Sequence, residues 1–260
     1  MELILQEVNR IRTRQKRIGA RKLLFMMNNF FHQHHIHIGR DAFFDLLRER
    51  TMLVRRRRGG KPRTTFSGFW LKKYPNLTKD FIPTAPNQLW VSDITYIPIG
   101  NDFGYLSLIT DAYSHKVVGF YLAHDLSAQG PIMALKMALK NNPHRENLIH
   151  HSDRGLQYYS HVYMKLLGHI RVSMSENSDP LENAIAERMN GILKEELLEN
   201  YFESYEQAQQ EIAIGISIYN HERPHGSIDN LTPAMAHLQS GVLKKRWKTY
   251  YKPKQQLVLV

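Results

Sequence analysis

Apolar and polar residues follow two different periods along the middle of the chain. Short β-branched and aromatic runs separated by turn residues come first, and segments whose apolar residues recur every three or four positions follow. Three strands, a helix, a strand, a helix, a strand and two helices in that order predict an α/β fold, a mixed sheet flanked by helices. The predicted strands are Leu89–Ile99, Tyr105–Asp111, Lys116–Ala123, Asn147–His151 and Ile170–Met174. The predicted helices are Ser127–Lys140, Ser160–Leu167, Leu181–Glu199 and Tyr205–Tyr219.

Residues 1–54 predict a small helical module in front of this core. Its last segment begins near Asp41, a candidate helix cap, and its apolar positions recur at helical spacing. Two short helices joined by a turn that contains Gly39, the second preceded by the basic Arg40, are typical of a helix-turn-helix DNA reader. A three-helix packing module without DNA contacts explains the same pattern, and the segment alone does not decide between the two.

A basic, proline-containing segment at residues 55–88 separates the module from a core predicted at 89–238, and a basic tail at 239–260 follows. Such a segment is predicted to be a linker or arm, because a block of like charges does not bury itself. A solvated linker is the usual meaning of a charge block, but its position here favours contact with a DNA backbone. The block consists of Arg55, Arg56, Arg57 and Arg58.

The net charge of the chain indicates which class of molecule it binds. The 260 residues carry a formal charge of +11, and 42% of them are hydrophobic, an ordinary fraction for a folded protein. This charge favours nucleic acid as the partner, with an anionic membrane surface second. No apolar run has the length of a transmembrane helix, and the first residues lack a signal-peptide core, so membrane attachment is not expected. The absence of cysteine excludes disulfides and thiolate zinc sites and fits a reducing cytosol.

Three acidic residues are the strongest candidates for chemistry. Asp93 interrupts a strand that is otherwise predicted to be buried, and Asp153 follows the C-terminal end of another strand. Glu187 lies in a predicted helix. Acids delivered from strand ends and a helix can converge on Mg²⁺ or Mn²⁺, which prefer hard oxygen ligands. Each acid also has an ordinary explanation as a locally bonded, capping or surface residue, and Asp111 is the first alternative to Asp93.

The predicted helix around Glu187 carries a polar stripe on one face. Asn183, Asn190 and Lys194 share that face with Glu187 by the spacing of three, four and seven residues. A polar stripe can be plain surface. It also suits a site in which the acid binds a metal while the amides and the lysine contact phosphates and bases. His151, shortly before Asp153, is a candidate for orienting the acid or for contacting DNA.

Four motifs in order resemble one known family. The sequences WVSDITYI, HSDRGLQY and ENAIAERMNGILKEEL are similar to the three-acid set of retroviral-integrase-like transposases. The later YNHERPH at 219–225 and Leu231-Thr232-Pro233, with Ile18–Lys22 near the start, resemble bacterial insertion-sequence transposases of the IS-three family. The resemblance implies an RNase-H-like fold, two Mg²⁺ or Mn²⁺ ions held by Asp93, Asp153 and Glu187, and DNA cleavage and strand transfer without a covalent protein–DNA intermediate.

The resemblance also implies partners and a place of action. They are double-stranded DNA at the element ends and the target, other copies of the chain on that DNA, and a transposase subunit from an upstream reading frame. The expected location is the nucleoid in the bacterial cytoplasm. Glu187 follows Asp153 by 34 positions, slightly fewer than the family pattern, which predicts a shortened loop near 167–170. The alternatives are a metal-dependent nuclease of the same fold and a catalytically silent DNA-binding derivative.

Overall fold

Four short helices form the N-terminal module around an apolar cluster of their own. The computed structural model describes residues 1–55, 74–79, 81–143, 146–176 and 184–246. Val8, Leu23, Phe43 and Leu47 are fully buried where the helices of the module meet. The module is therefore held together by its own hydrophobic contacts. Its helices are α1 (Glu2–Arg14), α2 (Ala20–Met26), α3 (Asn28–Gln33) and α4 (Arg40–Glu49).

A five-stranded mixed sheet forms the centre of the following core, with its strands in the order β3-β2-β1-β4-β5. The first three strands form an antiparallel meander, and β4 and β5 then add in parallel on the other side of β1. The long first strand thus lies in the middle of the sheet. The strands are β1 (Leu89–Ile99), β2 (Asp102–Asp111), β3 (Val117–Ala123), β4 (Ile149–Ser152) and β5 (Arg171–Met174).

Helices cover both faces of the sheet. On one face α5 and α6 pack against apolar residues such as Trp90 and Ile109. On the other face α7 and α8 pack against Ile97, Leu106 and Leu108. Residues of β1 therefore alternate between the two helical layers, as the two-residue period of a strand requires. The helices of the core are α5 (Gln129–Asn141), α6 (His161–Leu167), α7 (Ala184–Ile192), α8 (Tyr205–His221) and α9 (Pro233–Ala236).

The predicted mixed sheet flanked by helices is confirmed, and two local expectations are wrong. A continuous helix through Glu199 was predicted, but α7 ends at Ile192 and a π-helical turn, Leu193–Leu197, follows it. Asp41 does not cap α4, because Gly39 occupies the cap position and Asp41 pairs with Arg40 inside the first turn. Glycine is a tolerated cap, so the helix starts two residues earlier than the acid suggested.

Ion pairs join the N-terminal module to the core. The Arg14 guanidinium donates to the Glu222 carboxylate at 2.5–3.1 Å, and Lys16 lies 2.6 Å from Glu199. These pairs are solvent-exposed, and pairs of that kind contribute at most about 1 kcal/mol each. They align the module with the end of α8 and with the segment after the π-helical turn more than they stabilise it.

A buried ion pair lies at the centre of the same interface. Arg223, only 1% exposed, donates two hydrogen bonds of 2.9 Å to the Glu196 carboxylate in the π-helical turn. Lys22 of α2 donates to the same carboxylate at 3.3–3.4 Å. The two cations hold the pKa of Glu196 below its ordinary value although burial alone would raise it. Module, π-helical turn and the end of α8 therefore meet at one carboxylate.

None of the helices in the described ranges is long and apolar enough to cross a membrane.

Removing one member of the buried Glu196–Arg223 pair should lower the free energy of unfolding much more than removing both members. Glu196→Gln leaves the Arg223 guanidinium buried without its counter-charge, a loss of about 3–5 kcal/mol in the free energy of unfolding. The double variant Glu196→Leu with Arg223→Met should recover part of that loss, because both charges of the pair are then gone and only Lys22 loses its carboxylate partner. Denaturant titration of the variants measures this. Glu146→Gln, at an exposed acid, is the control and should change stability by less than about 0.5 kcal/mol. Equal losses for the single and double variants would contradict the argument.

Candidate active site

Parallel pairing of β1 with β4 brings two aspartates together. In the observed register Leu89 pairs with Ile149 and Val91 with His151. Two residues after this last pair come Asp93, still within β1, and Asp153, just past the end of β4. The Asp153 charge acts on Asp93. The two acids predicted from the sequence therefore lie near each other at the C-terminal end of β4.

Asp93 is a half-buried carboxylate with a strongly altered proton affinity. Its Oδ1 accepts a hydrogen bond from the backbone N–H of Ile94 at 2.9 Å. Burial raises the pKa of Asp93 to about 7, and the Asp153 carboxylate adds to this shift. The Glu187 carboxylate also raises this pKa, while the Ile94 N–H and Lys194 lower it. Near neutral pH the side chain is therefore divided between its charged and neutral forms.

Asp153 is fixed by the turn that follows it. Its Oδ1 accepts a hydrogen bond from the backbone N–H of Gly155 at 3.0 Å. Burial raises the pKa of Asp153, and this hydrogen bond lowers it by a smaller amount, so the net shift is upward. A side chain at position 155 would place its Cβ 3.0 Å from Asp153 Oδ1 and 2.9 Å from Gln157 Oε1. Glycine is therefore the residue that lets the turn close on the carboxylate.

Helix α7 holds Asp93 through an amide. Asn190 Nδ2 donates to Asp93 Oδ2 at 2.6 Å, and Asn190 is 8% exposed. Asn190 thus positions the Asp93 carboxylate, and its predicted contact with DNA stays a prediction. Its helical spacing pointed correctly to the face of α7 that carries Glu187, and the sequence alone did not show that this face covers the strand.

The third acid lies on the same helix and is exposed. Glu187 is one turn before Asn190, and its charge reaches Asp93. Among the residues that the structure describes, no three histidine or acidic side chains lie close enough together to hold one metal ion. The structure thus brings Asp93 and Asp153 into a pair and sets Glu187 on the helix that covers them, without a shared three-acid ligand geometry.

Lys194 lies close enough to Asp93 for the two charges to interact. It lies in the π-helical turn after α7, where burial lowers its pKa and the Asp93 charge raises it. A half-buried ammonium that senses Asp93 partly compensates the negative charge of the site. The predicted contact of Lys194 with DNA stays a prediction.

His151 supports the strand that delivers Asp153. The side chain is completely buried, and its Nδ1 lies 2.8 Å from Ser173 Oγ on β5. Direct DNA contact, one of the two predicted roles, does not fit such burial. A link between β4 and β5 two residues before Asp153 fits the other predicted role, orientation of the acid.

Two further residues near the site were missed or misjudged from the sequence. Tyr158, fully buried, accepts a hydrogen bond from Ser92 Oγ at 3.1 Å, and burial with the Asp153 and Asp93 charges raises its pKa. It lies with Ser92 on the face of β1 opposite to Asp93, and only its place five residues after Asp153 hinted that it is near the site. Asp111 is fully buried and accepts hydrogen bonds from Asn87 and Ser114, so its role is structural.

The other predicted DNA-contacting residues lie away from the acid pair or outside the described residues. Arg40 is exposed at the start of α4. Arg55 is exposed too, and its backbone carbonyl accepts a hydrogen bond from Arg17 at 2.6 Å. Their roles in DNA binding stay predictions. The residues that lie outside the described ranges are Arg56, Arg57, Arg58 and Asn183.

Comparison with known proteins agrees with this architecture. Two profiles, both described as integrase core domain, match residues 83–180 and 168–233. The first range contains Asp93 and Asp153, and the second contains Glu187. The chain is also similar in fold to a chain of the simian T-cell lymphotropic virus intasome, with a TM-score of 0.52 at 18% identity over 73% of this chain and 67% of that one. The expected RNase-H-like fold is confirmed.

Proteins encoded by bacterial insertion elements are similar in sequence to this chain. A 31 kDa protein of insertion element IS600 from Shigella sonnei is 34% identical over 233 residues, which are 88% of this chain and 84% of that protein. A protein assigned as the transposase of insertion sequence IS986/IS6110 in Mycobacterium tuberculosis is 30% identical over 68% of this chain and 67% of its own length. With its integrase core, the chain belongs to the bacterial insertion-sequence transposases of the DDE integrase superfamily.

Proposed function

We propose that Asp93, Asp153 and Glu187 are the catalytic acids of this transposase and that they hold two divalent ions, Mg²⁺ or Mn²⁺. The single observation that carries the proposal is the pairing of Asp93 with Asp153, whose charges repel strongly enough to help raise the pKa of Asp93 to about 7. Two acids held this way bind a cation in place of protons. Glu187 is proposed as the third acid, because it lies on α7 and its charge already acts on Asp93.

The donor set fits such ions. All three side chains offer carboxylate oxygens, the hard ligands that Mg²⁺ and Mn²⁺ prefer, and no sulfur ligand exists in a chain without cysteine. Asn190 and Gly155 occupy one oxygen each of Asp93 and Asp153 and fix the carboxylates in place. The ligands are thus oriented by neighbours that do not themselves need to bind the ions.

The residues of the chain provide positioning, and the ions provide charge. When bound, divalent ions stabilise the negative charge that develops on the attacked phosphate and lower the pKa of the attacking hydroxyl. Asn190 and the Ile94 N–H hold the Asp93 carboxylate, and Lys194 balances part of its charge. No side chain acts as the nucleophile in this proposal, since water or a DNA 3′-hydroxyl attacks the phosphate.

We further propose that the DNA ends of the element are held outside the acid pair. The net charge of +11 supports binding to the phosphate backbone, with affinity that falls as salt rises. Arg40 at the exposed start of α4 is the candidate for reading bases, and Arg55–Arg58 and Lys194 are candidates for phosphates. Asn183 stays a candidate for contact next to the cut.

The working assembly is proposed to contain several copies of the chain on chromosomal DNA in the cytoplasm. Two element ends and a target must be joined, so one subunit alone has too few acid sites for a paired reaction at both ends. The virus chain that shares the fold belongs to an intasome, which supports a multi-subunit complex for this protein. A partner from an upstream reading frame is proposed to add a further DNA-binding part.

Replacing the central acid should abolish chemistry without abolishing DNA binding. Asp93→Asn removes a proposed metal ligand and a negative charge that faces phosphate, so cleavage and joining should be lost while DNA affinity stays equal or rises. Gel-based cleavage assays and fluorescence anisotropy measure the two effects separately. Asp102→Asn, at an exposed acid at the start of β2, is the matched control and should retain activity. Cleavage at the wild-type rate by Asp93→Asn would reject Asp93 as a catalytic acid.

The same variant should change how stability depends on pH. The pKa of Asp93 is raised to about 7 in the folded protein, whereas the ordinary value in an unfolded chain is about 3.9. The folded protein therefore binds this proton more tightly, and its stability falls as pH rises from about 4 through 7. In metal-free buffer, Asp93→Asn should gain Tm relative to wild type at pH 8 but not at pH 4, as thermal unfolding can record. Magnesium should narrow the gap at pH 8. An equal difference in Tm at both pH values would count against a raised pKa of Asp93 in the folded protein.

The product separates a transposase from a nuclease. With Mg²⁺ and an element end bearing a free 3′-hydroxyl, the wild type should give joined strands, because the hydroxyl replaces water as the attacking group. Lys194→Glu should reduce joining through poorer positioning of DNA while metal binding persists. Sequencing of the products identifies the junctions. Only shortened fragments, with several correct end sequences and the partner subunit present, would favour the nuclease.

A further inference from the structure

A cleft lies between the N-terminal module and the core, on the side of α7 away from the acid pair. Its volume is about 900 Å³. The module contributes Phe25 and Phe44, and α7 contributes Ile185, Arg188 and Ile192. Residues of a helix turn by about 100° each, so these α7 positions point away from Glu187 and Asn190. The catalytic helix thus forms a wall between two separate sites.

The lining of the cleft is cationic. Its charged members are Arg21, Lys22, Arg188, Arg223 and Arg246. Glu196 pairs with both Lys22 and Arg223, and Asp229 pairs with Arg246 at 2.5 Å. Among the residues described, two carboxylates therefore pair with cations of a lining that has five cationic side chains, so the lining keeps an excess of positive charge.

Two buried nitrogen atoms in the lining have no hydrogen-bond partner among the described residues of the protein. They are Arg223 Nη1 and His225 Nε2. Arg223 is 1% exposed and His225 is 9% exposed. Buried polar groups of this kind are rarely left without a partner, because each costs about 1–3 kcal/mol. Both side chains line the cleft, so a ligand with acceptor oxygens would satisfy them.

These two side chains are held rigidly. The two hydrogen bonds to Glu196 use Nε and Nη2 of Arg223 and leave the buried Nη1 without a partner among the described residues. His225 stacks on His115 at 5.6 Å, and its backbone N–H donates to Leu231 at 3.0 Å. Burial and the neighbouring cations Arg223, Lys22 and Arg188 lower the pKa of His225 to about 2. The His225 imidazole is therefore neutral, and it can donate a hydrogen bond from Nε2.

We propose that this cleft binds a phosphate of a DNA strand, with Arg223 and His225 at its base and Arg21 and Arg188 at its rim. The proposal rests on the transposase function above and adds a second contact on the far side of α7. Charge-assisted hydrogen bonds from a fixed guanidinium match the geometry of phosphate oxygens. The site uses the YNHERPH segment, for which the catalytic mechanism gives no role.

Size and position favour a strand over a free anion. A cleft of about 900 Å³ is much larger than one phosphate needs and leaves room for a sugar and a base. Phe25, half-exposed in the lining, offers a ring on which a base can stack. A strand that leaves the acid pair would have to pass around α7, whose diameter is about 10–12 Å, to reach this cleft.

Rim variants test the proposal without disturbing the buried ion pair. Arg21 and Arg188 are exposed, so the double variant Arg21→Gln with Arg188→Gln should fold normally. Its DNA affinity should fall, and its log affinity should depend less steeply on log salt by roughly one to two units of slope, because fewer counterions are released. The matched control is Lys136→Gln with Lys140→Gln, two exposed cations on α5 across the sheet. An equal change in both double variants would overturn a specific cleft site.

A thiol probe locates the ligand. The chain has no cysteine, so Ser227→Cys places a single thiol in the cleft lining and Asn141→Cys places one at the end of α5 as control. Element-end DNA should slow maleimide labelling at position 227 and leave position 141 unchanged. Inorganic phosphate and a methylphosphonate duplex at equal concentration should protect neither. Protection by free phosphate alone would overturn the strand assignment in favour of a small-anion site.

The two proposals fail in different ways. Wild-type protein is assayed for strand joining in parallel with both probes. Joining with no protection at position 227 and no effect of the rim variant would overturn the cleft and leave the catalytic acids standing. If the wild type neither binds DNA nor joins strands, both the proposed function and the cleft proposal are overturned. Joining together with selective protection by DNA supports both.

Discussion

Repulsion between the carboxylates of Asp93 and Asp153 is the constraint on which the rest of the site depends. It follows from topology, because β1 and β4 run in parallel and their register brings the two acids near each other. Burial makes the repulsion stronger, and together they raise the pKa of Asp93 to about 7. The surrounding structure supplies partial compensation from Asn190, the Ile94 N–H and Lys194. A protein that keeps two acids in this position sacrifices stability at its functional site, a trade found wherever chemistry requires a strained arrangement.

The helix that covers these acids is anchored from its far end. Directly after α7 the π-helical turn presents Glu196 to Arg223 and Lys22, so the chain that fixes Asn190 against Asp93 is also the chain that receives the N-terminal module. A π-helical turn widens the backbone by one residue per turn, and such turns are frequent at functional sites. Here it lets Lys194 lie near Asp93 while Glu196 points to the module. Docking of the module and the geometry of the acid pair are therefore mechanically connected.

Sequence pattern was sufficient for the sheet and most of the helices, and insufficient for contacts between distant segments. The alternation along β1 placed Asp93 within that strand because a two-residue period is local information, and its catalytic role stays a prediction. The amide of Asn190 was placed on the correct helix face but assigned to DNA, since the spacing does not reveal which face packs on the sheet. Tyr158 and the Glu196–Arg223 pair were not predicted, because they depend on residues that meet only after folding. The π-helical turn was read as ordinary helix, because its residues favour both forms.

Two faces of α7 therefore carry opposite electrostatic roles within a few ångströms. One face brings Glu187 and Asn190 to a cluster of acids that repels DNA phosphate until cations are bound. The other face brings Arg188 to a cleft with excess positive charge and unsatisfied buried donors. Under the two proposals, a DNA strand is attracted and oriented by the second face while the first stays free to bind metal. Separating attraction from chemistry in this way removes the conflict between phosphate binding and a site built from carboxylates. It also gives the anchored helix a reason to be rigid, since a shift of α7 would alter both faces together.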